Sequence, residues 1–140
     1  MSKIAVVYWS GTGNTQAMAE AILEGARTAG AEAEIFTPAG FRAEMMDSYD
    51  AIAFGCPAMG AEELEDGEFE PMFSACEGKL AGKRIALFGS YGWGDGEWMR
   101  AWHARCAEAG ASFAAEDVIC CEAPDDAGKA NCAALGRALN

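Results

Sequence analysis

One hexapeptide near the start of the chain has the residue types of a phosphate-binding loop. It follows the apolar run from Ile4 to Trp9 and reads Ser10, Gly11, Thr12, Gly13, Asn14 and Thr15. Its two glycines let the backbone turn tightly and bring N–H groups close to a ligand, while its hydroxyl and amide side chains are neutral donors at the start of a helix. Because the hexapeptide contains no Lys or Arg, only dipoles and hydrogen bonds would hold the phosphate. That chemistry suits a compact monophosphate better than a magnesium-bound triphosphate.

Two other phosphate-binding motifs fit this hexapeptide less well. The nucleoside-triphosphatase loop needs a lysine that reaches the outer phosphates, and Asn14 stands in its place. The dinucleotide fingerprint needs a third glycine where this chain has Gln16, and an acidic residue at the end of the second strand, which here runs into Thr37. An ordinary strand-to-helix turn is the remaining alternative, so evidence from the rest of the chain is needed to distinguish it from a phosphate-binding loop.

Length and composition place the chain among compact globular proteins. A chain of 140 residues predicts one domain, residues 1–140, with a core large enough to be stable without a disulfide or a structural metal. No apolar run approaches the roughly 18 residues of a membrane span and the N-terminus lacks a signal-peptide pattern, so we expect a soluble cytoplasmic protein without a membrane partner. No metal site is expected. Six cysteines without paired C-x-x-C spacing are interpreted as buried reduced thiols; they are Cys56, Cys76, Cys106, Cys120, Cys121 and Cys132.

The net charge of −12 restricts the partners that the protein can have. A nucleic acid is not expected as a partner, because binding its phosphate backbone relies on Lys and Arg. Basic protein surfaces are the natural counterpart. The acidic residues concentrate in three groups, which are Glu62, Glu63, Glu65, Asp66, Glu68 and Glu70, then Asp95 and Glu97, then Asp125 and Asp126.

The hydrophobic pattern predicts strands and helices that alternate five times. The predicted strands cover residues 4–9, 32–36, 51–56, 85–89 and part of 111–121, the last one bent near residues 116–117, and the predicted helical segments lie around residues 15–29, 41–46, 68–76, 98–110 and 132–139. Such alternation implies a parallel sheet with helices on both faces and right-handed crossovers. Ligands of these sheets bind at the carboxyl ends of the strands, so loops 10–15, 57–63 and 90–96 should surround one pocket.

The third of these loops predicts a flat aromatic ligand. Trp93 lies between Gly92 and Gly94, so its ring can cover a ligand while the flanking backbone comes close enough to donate hydrogen bonds. Met59, which is flexible and polarizable, can cover the opposite face. The other aromatic residues near this loop have different predicted places. Trp98 and Trp102 are expected in the core, and His103 on the surface without an acidic partner and without a catalytic role.

Three segments resemble the flavin-binding loops of the flavodoxins, particularly of the short-chain clostridial type. They read SGTGNT at residues 10–15, GCPAMG at residues 55–60 followed by EELE at residues 62–65, and FGSYGWGDG at residues 88–96. All three occur in the order and at the spacing of that family, and the resemblance covers the whole chain. It implies an α/β fold, a three-layer doubly wound flavodoxin-like fold with a five-stranded parallel sheet of order 2-1-3-4-5 and helices on both faces.

The resemblance also implies a cofactor and its binding residues. The cofactor would be tightly but noncovalently bound FMN, with its phosphate on the hexapeptide, Met59 on the inner face of the ring system and Trp93 on the outer face. Glu62 would accept from the pyrimidine-ring N–H, and Ser90 would lie near the phosphate or the ribityl chain. The implied FMN-binding residues are Ser10, Gly11, Thr12, Gly13, Asn14, Thr15, Pro57, Ala58, Met59, Gly60, Ala61, Glu62, Ser90, Tyr91, Gly92, Trp93 and Gly94.

The function implied by the resemblance is one-electron transfer between redox proteins, with FMN passing between quinone, semiquinone and hydroquinone. The acidic loops predict a low second potential and basic or positively patched redox partners that dock around the flavin. A carrier that must expose one flavin edge is expected to be a monomer. Such a protein is a carrier and not an enzyme. The main alternative is a small FMN-dependent NAD(P)H:quinone or nitro-group reductase, which would need a substrate pocket and a basic nucleotide site. A regulatory receiver-like module is the third, and it would need acidic residues after the first strand.

Overall fold

The computed structural model describes residues 2–140, within which six strands form one sheet. The strands are β1 (Lys3–Tyr8), β2 (Glu32–Phe36), β3 (Ala51–Gly55), β4 (Arg84–Tyr91), β5 (Ser112–Phe113) and β6 (Val118–Cys121). The helices are α1 (Asn14–Thr28), α2 (Phe69–Glu77), α3 (Glu97–Glu108) and α4 (Asp126–Leu139). Two short 3₁₀ helices, Pro38–Gly40 and Ala43–Ser48, form the connection between β2 and β3 that the sequence predicts as a helical crossover.

The sheet is parallel throughout and has the order β2-β1-β3-β4-β5, with β6 also paired to β4. The predicted strand order is thereby confirmed. The predicted fifth strand is divided into β5, which pairs with β4 up to Ile85, and β6, which pairs with it from Phe88 onward. Between these two points β4 advances three residues and the edge strand advances five, so residues 114–117 leave the ladder at the predicted bend.

Alternating strand residues face two separate cores, as expected of a sheet covered on both sides. In β1, Ile4 and Val6 pack with the apolar faces of α1 and α4, whereas Ala5 and Val7 pack with those of α2 and α3. The second core holds the predicted core residues Trp98 and Trp102, each 2% exposed. β2 is the edge strand and alternates between exposed and buried residues at its start, as its polar-apolar sequence predicts.

Helices α1 and α4 approach each other at their backbones. Gly25 of α1 lies against the carbonyl oxygen of Ala133, and Gly136 of α4 lies against that of Ile22. A Cβ atom at either glycine would overlap the facing backbone, so both positions require glycine for packing. This contact fixes α1, and with it the loop that precedes α1, against α4.

The six cysteines are free thiols, but the prediction that all are buried is wrong for one of them. Cys120 is buried, whereas the next residue, Cys121, is exposed because successive side chains of a strand point to opposite faces. Burial raises the pKa of Cys56, Cys106 and Cys132 to about 12, so these thiols stay protonated at neutral pH.

The expectation that His103 has no acidic partner is also wrong. Its Nδ1 lies 2.9 Å from Oδ2 of Asp117, and its ring stacks on Phe113 at 3.9 Å between centroids. The segment that leaves the ladder between β5 and β6 brings Asp117 back to α3, which the sequence pattern could not show. Burial raises the pKa of Asp117, and the hydrogen bond with His103 opposes that rise. None of these three residues lines the pocket described below.

No helix among residues 2–140 combines the length and the hydropathy that crossing a membrane requires.

Candidate functional site

The carboxyl ends of β1, β3, β4 and β6 surround an open pocket of about 450 Å³. Parallel strands put these ends at one edge of the sheet, which is where ligands bind in such folds. The volume is within the range of small-molecule and cofactor sites. The pocket is lined by Trp9, Gly11, Thr12, Asn14, Pro57, Ala58, Met59, Ser90, Tyr91, Gly92, Glu122 and Ala123.

The hexapeptide forms a turn whose amide groups are available to a ligand. The hydroxyl oxygen of Ser10 accepts from the backbone N–H of Gly13 at 3.1 Å and of Gln16 at 3.3 Å, which holds the turn at the start of α1. Gly13, the N-cap, has φ +95°, a conformation that favours glycine. Within residues 2–140, the backbone N–H groups of Gly11, Thr12, Asn14 and Thr15 donate to no protein acceptor. They remain available to an anion at the helix N-terminus.

A buried hydroxyl pair connects this turn to the sheet. Thr15 Oγ1 lies 2.7 Å from Ser90 Oγ, and the two residues are 1% and 4% exposed. Each hydroxyl is the hydrogen-bond partner of the other. This matters because a buried polar group without a partner costs about 1–3 kcal/mol of stability. The pair joins the first turn of α1 to the end of β4 and so fixes two walls of the pocket relative to each other.

The loop after β3 is held at both ends and reverses at Gly60. The N–H of Ala58 donates to the carbonyl of Ser90 at 3.0 Å, and Met59 and Glu63 exchange two backbone hydrogen bonds of 2.8 and 2.9 Å. Gly60 inside this turn has φ +52°. The arrangement leaves the side chain of Met59 on the pocket wall and 38% exposed, which is unusual for so large an apolar residue.

Glu62 joins the loop after β3 to the loop after β4. Its backbone has φ +55°, rare for a residue with a side chain, and its Oε1 accepts from the N–H of Glu97 at 3.2 Å. The same carboxylate lies beside Gly94, where a Cβ would come within 2.7 Å of Oε1. The favourable interaction of a carboxylate with the first N–H groups of α3 holds the two loops together.

The loop after β4 ends in an exposed tryptophan. Trp93 is 65% exposed and lies outside the lining of the pocket, next in sequence to the lining residue Gly92. Beyond it, Arg100 donates to the carbonyl and to the carboxylate of Asp95, both at 3.0 Å, and so fixes the loop on α3. Trp93 therefore lies where it can cover a ligand or contact another protein.

The charged side chains in and beside the pocket lining are acidic. Its lining within residues 2–140 contains no Lys or Arg, and Glu122 adds a carboxylate beside β6. In the acidic loop, which we define as residues 62–68, Glu65 accepts three backbone N–H bonds, from Gly67, Glu68 and Phe69, at 2.7–2.8 Å. Partial burial raises the pKa of Glu65, but these three bonds outweigh that effect and lower the pKa below its usual value. The acidic loop is therefore anionic at neutral pH.

The structure divides the predicted binding residues into two sets. Nine line the pocket: Gly11, Thr12, Asn14, Pro57, Ala58, Met59, Ser90, Tyr91 and Gly92. Eight lie in the same three loops but outside the lining: Ser10, Gly13, Thr15, Gly60, Ala61, Glu62, Trp93 and Gly94. Of the second set, Ser10, Thr15 and Glu62 use side-chain oxygens for contacts within the protein.

Three lining residues were missed by sequence reasoning: Trp9, Glu122 and Ala123. Trp9 is the last residue of the first apolar run and reads as part of the strand. Glu122 and Ala123 follow a strand whose end could not be fixed because of its bend. A signal existed in the rule that residues just after a parallel strand face the ligand edge.

Comparison with known proteins identifies the chain. The sequence profile of the family described as Flavodoxin matches residues 6–136. The chain belongs to the flavodoxin family. It is 47% identical over 135 residues to the flavodoxin of Megasphaera elsdenii and 40% identical over 134 residues to that of Clostridium beijerinckii, with 96% of each chain covered in both alignments. Its structure matches the solution structure of two-electron reduced Megasphaera elsdenii flavodoxin with a TM-score of 0.90 over 97% of each chain.

As a flavodoxin, the protein is an FMN-binding electron carrier that exchanges electrons with redox partner proteins, and not an enzyme. This favours the carrier prediction over the reductase and receiver-like alternatives. The pocket fits FMN on its own geometry. Free N–H groups at the start of α1 suit its phosphate, and the apolar side chains of Trp9, Pro57 and Met59 suit a flat ring system.

Proposed function

We propose that the pocket at the carboxyl edge of the sheet is the FMN site and that the protein is a monomeric, cytoplasmic, single-domain carrier of low potential, spanning residues 1–140. The observation that carries the proposal is the cradle of unpaired N–H groups at the start of α1, opening into a pocket without a basic side chain. FMN, when bound, accepts and returns electrons one at a time. The chain's own residues decide how tightly it is held and at what potential.

At the phosphate end, the N–H groups of Gly11, Thr12, Asn14 and Thr15 would bind the phosphate oxygens, with the hydroxyl of Thr12 and the amide of Asn14 as further donors. Ser10 and the Thr15–Ser90 pair would act by holding these groups in place, since their hydroxyls already bond within the protein. Binding by dipoles fixed before the ligand arrives costs little reorganisation.

At the ring end, Met59 and Trp93 would cover the two faces of the flavin and Glu62 would accept from its pyrimidine N–H. Glu62 Oε1 is bonded to the N–H of Glu97, while Oε2 has no protein donor within residues 2–140, so one carboxylate can bond both α3 and the flavin. Gly60, Ala61 and the backbone of Gly92 and Gly94 would complete this end, with Pro57, Ala58 and Tyr91 on the walls.

The low potential would come from the carboxylates around the ring end. A unit charge ~10 Å from the flavin raises the free energy of an added electron by ~0.8 kcal/mol at an effective dielectric constant of ~40. Glu62, Glu63 and Glu122 contribute in this sense, whereas the charge of Asp95 is offset by Arg100. The same carboxylates would attract basic redox proteins to the exposed Trp93 edge and make their encounter sensitive to salt.

The test is to reconstitute the apoprotein with FMN and measure its affinity, its two midpoint potentials and its sedimentation. We expect one FMN per chain, a second potential below that of free FMN, and a monomer. Electron transfer to cytochrome c, used as a basic probe, should slow as ionic strength rises. An apoprotein that takes up no FMN would contradict the site, and a salt-independent rate would contradict the docking surface.

A further inference from the structure

Trp9 stands between two cavities of the protein. It lines the 450 Å³ pocket together with Met59, and both residues also line a second cavity of about 230 Å³ beneath the acidic loop. The ring of Trp9 also packs against the hexapeptide, since a Cβ at Gly11 would lie 3.1 Å from its Cη2. Trp9 therefore contacts both the phosphate end and the ring end of the FMN pocket.

One long-range hydrogen bond also holds the ring of Trp9. The backbone N–H of Trp9 donates to the carbonyl of Gly55 at 3.0 Å, which fixes the main chain beside β3. The indole Nε1–H donates to Oε1 of Glu68 at 3.1 Å, 59 residues away in sequence. Backbone and ring are thus anchored separately, and the second anchor comes from the acidic loop.

Glu68 is itself held where this bond requires it. Its backbone N–H donates to Oε1 of Glu65 at 2.8 Å, and the neighbouring N–H groups of Gly67 and Phe69 donate to the same carboxylate. Glu68 is the N-cap residue of α2, so its position also follows from the start of that helix. A chain of contacts therefore runs from Glu65 through Glu68 to the wall of the pocket.

We infer that Trp9 is a further FMN-contacting residue and that Glu68 is its positioning residue, acting through the Nε1–H···Oε1 bond. The inference rests on the proposed FMN site. Without the bond, the indole can rotate into the second cavity, and the pocket loses the wall that separates the two spaces. FMN would then have to restore the ring orientation, at a cost in affinity.

The experiment compares four variants with the wild-type protein: Trp9→Phe, Glu68→Ala, Glu68→Gln and the double variant Trp9→Phe/Glu68→Ala. Glu68→Gln is the matched control, because it removes the charge but keeps an acceptor for the indole. FMN affinity is measured by the quenching of FMN fluorescence on titration of each apoprotein. The visible circular dichroism of bound FMN reports the ring environment, and thermal unfolding of each apoprotein reports the fold.

We expect Glu68→Ala and Trp9→Phe each to weaken FMN binding by about three- to tenfold, as the loss of one hydrogen bond predicts. Glu68→Gln should stay within about twofold of the wild type, and the double variant should lose no more than the worse single variant, because both changes remove the same bond. The flavin dichroism should change in the Ala and Phe variants and be restored in the Gln variant.

Other results would overturn the inference. If Glu68→Ala binds FMN as the wild type does, or if Glu68→Gln and Glu68→Ala weaken binding equally, the bond does not position the ring. Losses that multiply in the double variant would mean that the two residues act independently, which also contradicts the inference. Failure of the wild-type apoprotein to bind FMN would instead contradict the proposed function. The exposed Glu68 variants keep the test open should Trp9→Phe fail to fold.

Discussion

The two ends of the proposed FMN site differ in the residues that form them. At the phosphate end, the ligand-facing groups are neutral N–H groups, and a buried pair of hydroxyls, Thr15 and Ser90, anchors the turn that carries them. At the ring end, the large apolar side chains of Met59 and Trp93 are exposed, and the neighbouring charges are negative. We propose that the two ends have different roles, in which the phosphate end sets the affinity for FMN and the ring end sets its potentials and its access to partners.

This division has a thermodynamic consequence. A change that weakens the binding of all redox states of FMN equally leaves the midpoint potentials where they were. A change that affects one redox state more than another must shift them, because potential and affinity are linked. Substitutions at the two ends should therefore give different pairs of readouts.

The largest effect is expected from Ser90→Ala at the phosphate end. It leaves the buried hydroxyl of Thr15 without its partner, which costs about 1–3 kcal/mol of unfolding free energy. Denaturant unfolding of the apoprotein measures this cost, and FMN titration should show weaker binding with unchanged potentials. The double variant Thr15→Val/Ser90→Ala is the control, since removing both hydroxyls should cost less than the sum of the single changes. A shift of the midpoint potentials in Ser90→Ala would contradict the proposal that the phosphate end sets only the affinity for FMN.

Two glycines with positive φ and open space around them allow a direct comparison of the ends. Alanine at Gly13, φ +95°, or at Gly60, φ +52°, would be strained by about 1–2 kcal/mol without meeting another atom. We expect Gly13→Ala to weaken FMN binding at constant potentials, because the cradle relaxes, and Gly60→Ala to shift the potentials. Gly78→Ala is the control, because Gly78 has φ −67° and open space. Potentiometric titrations and FMN titrations of all three variants measure these effects. If Gly13→Ala shifted the potentials and Gly60→Ala only weakened FMN binding, the proposed roles of the two ends would be contradicted.

A smaller effect is expected from Glu62→Gln, which removes one charge at the ring end. The second midpoint potential should rise by about 20–40 mV at neutral pH, since a nearby carboxylate opposes the added electron. Glu32→Gln removes an equal charge at the start of β2, on the opposite edge of the sheet, and should leave the potential unchanged. Equal shifts in the two variants would mean that net charge, and not the position of Glu62, matters.

The smallest effect is expected from acid acting on Glu65. Its lowered pKa means that the carboxylate stabilises the folded loop above the unfolded pKa, near 4.5, and that this contribution is lost as pH falls through the lower folded pKa. Solvent screening keeps the effect small. The unfolding free energy of Glu65→Gln should therefore depend less on pH below about 4.5 than that of the wild type. Identical pH profiles would exclude a role for this carboxylate.

Much of the fold could be predicted because its signals are local. Apolar runs such as residues 51–55 mark buried strands, and helical spacing places Trp98 and Trp102 in the core. The sequence predicts the bend between β5 and β6 near residues 116–117, but not its consequences. The partnership of His103 with Asp117, the exposure of Cys121 and the place of Glu122 in the pocket all depend on how that segment returns to the sheet.

The loops of the site were predictable, whereas the task of each residue within them was not. Residue types at the strand ends indicate a phosphate turn and a ring-binding loop. Only the three-dimensional structure reveals that the hydroxyls of Ser10 and Thr15 bond within the protein, or that the ring of Trp9 is anchored by Glu68. These bonds join residues on different elements, and spacing along the chain carries no information about them.

The most direct test of the carrier function is an absorption spectrum of the purified protein, followed by stepwise anaerobic reduction. We predict flavin bands that are lost in two separate one-electron steps, the second at low potential, and no direct bleaching by NADH or NADPH. A protein that takes up no FMN, or one whose flavin is reduced directly by a nicotinamide nucleotide, would contradict this function.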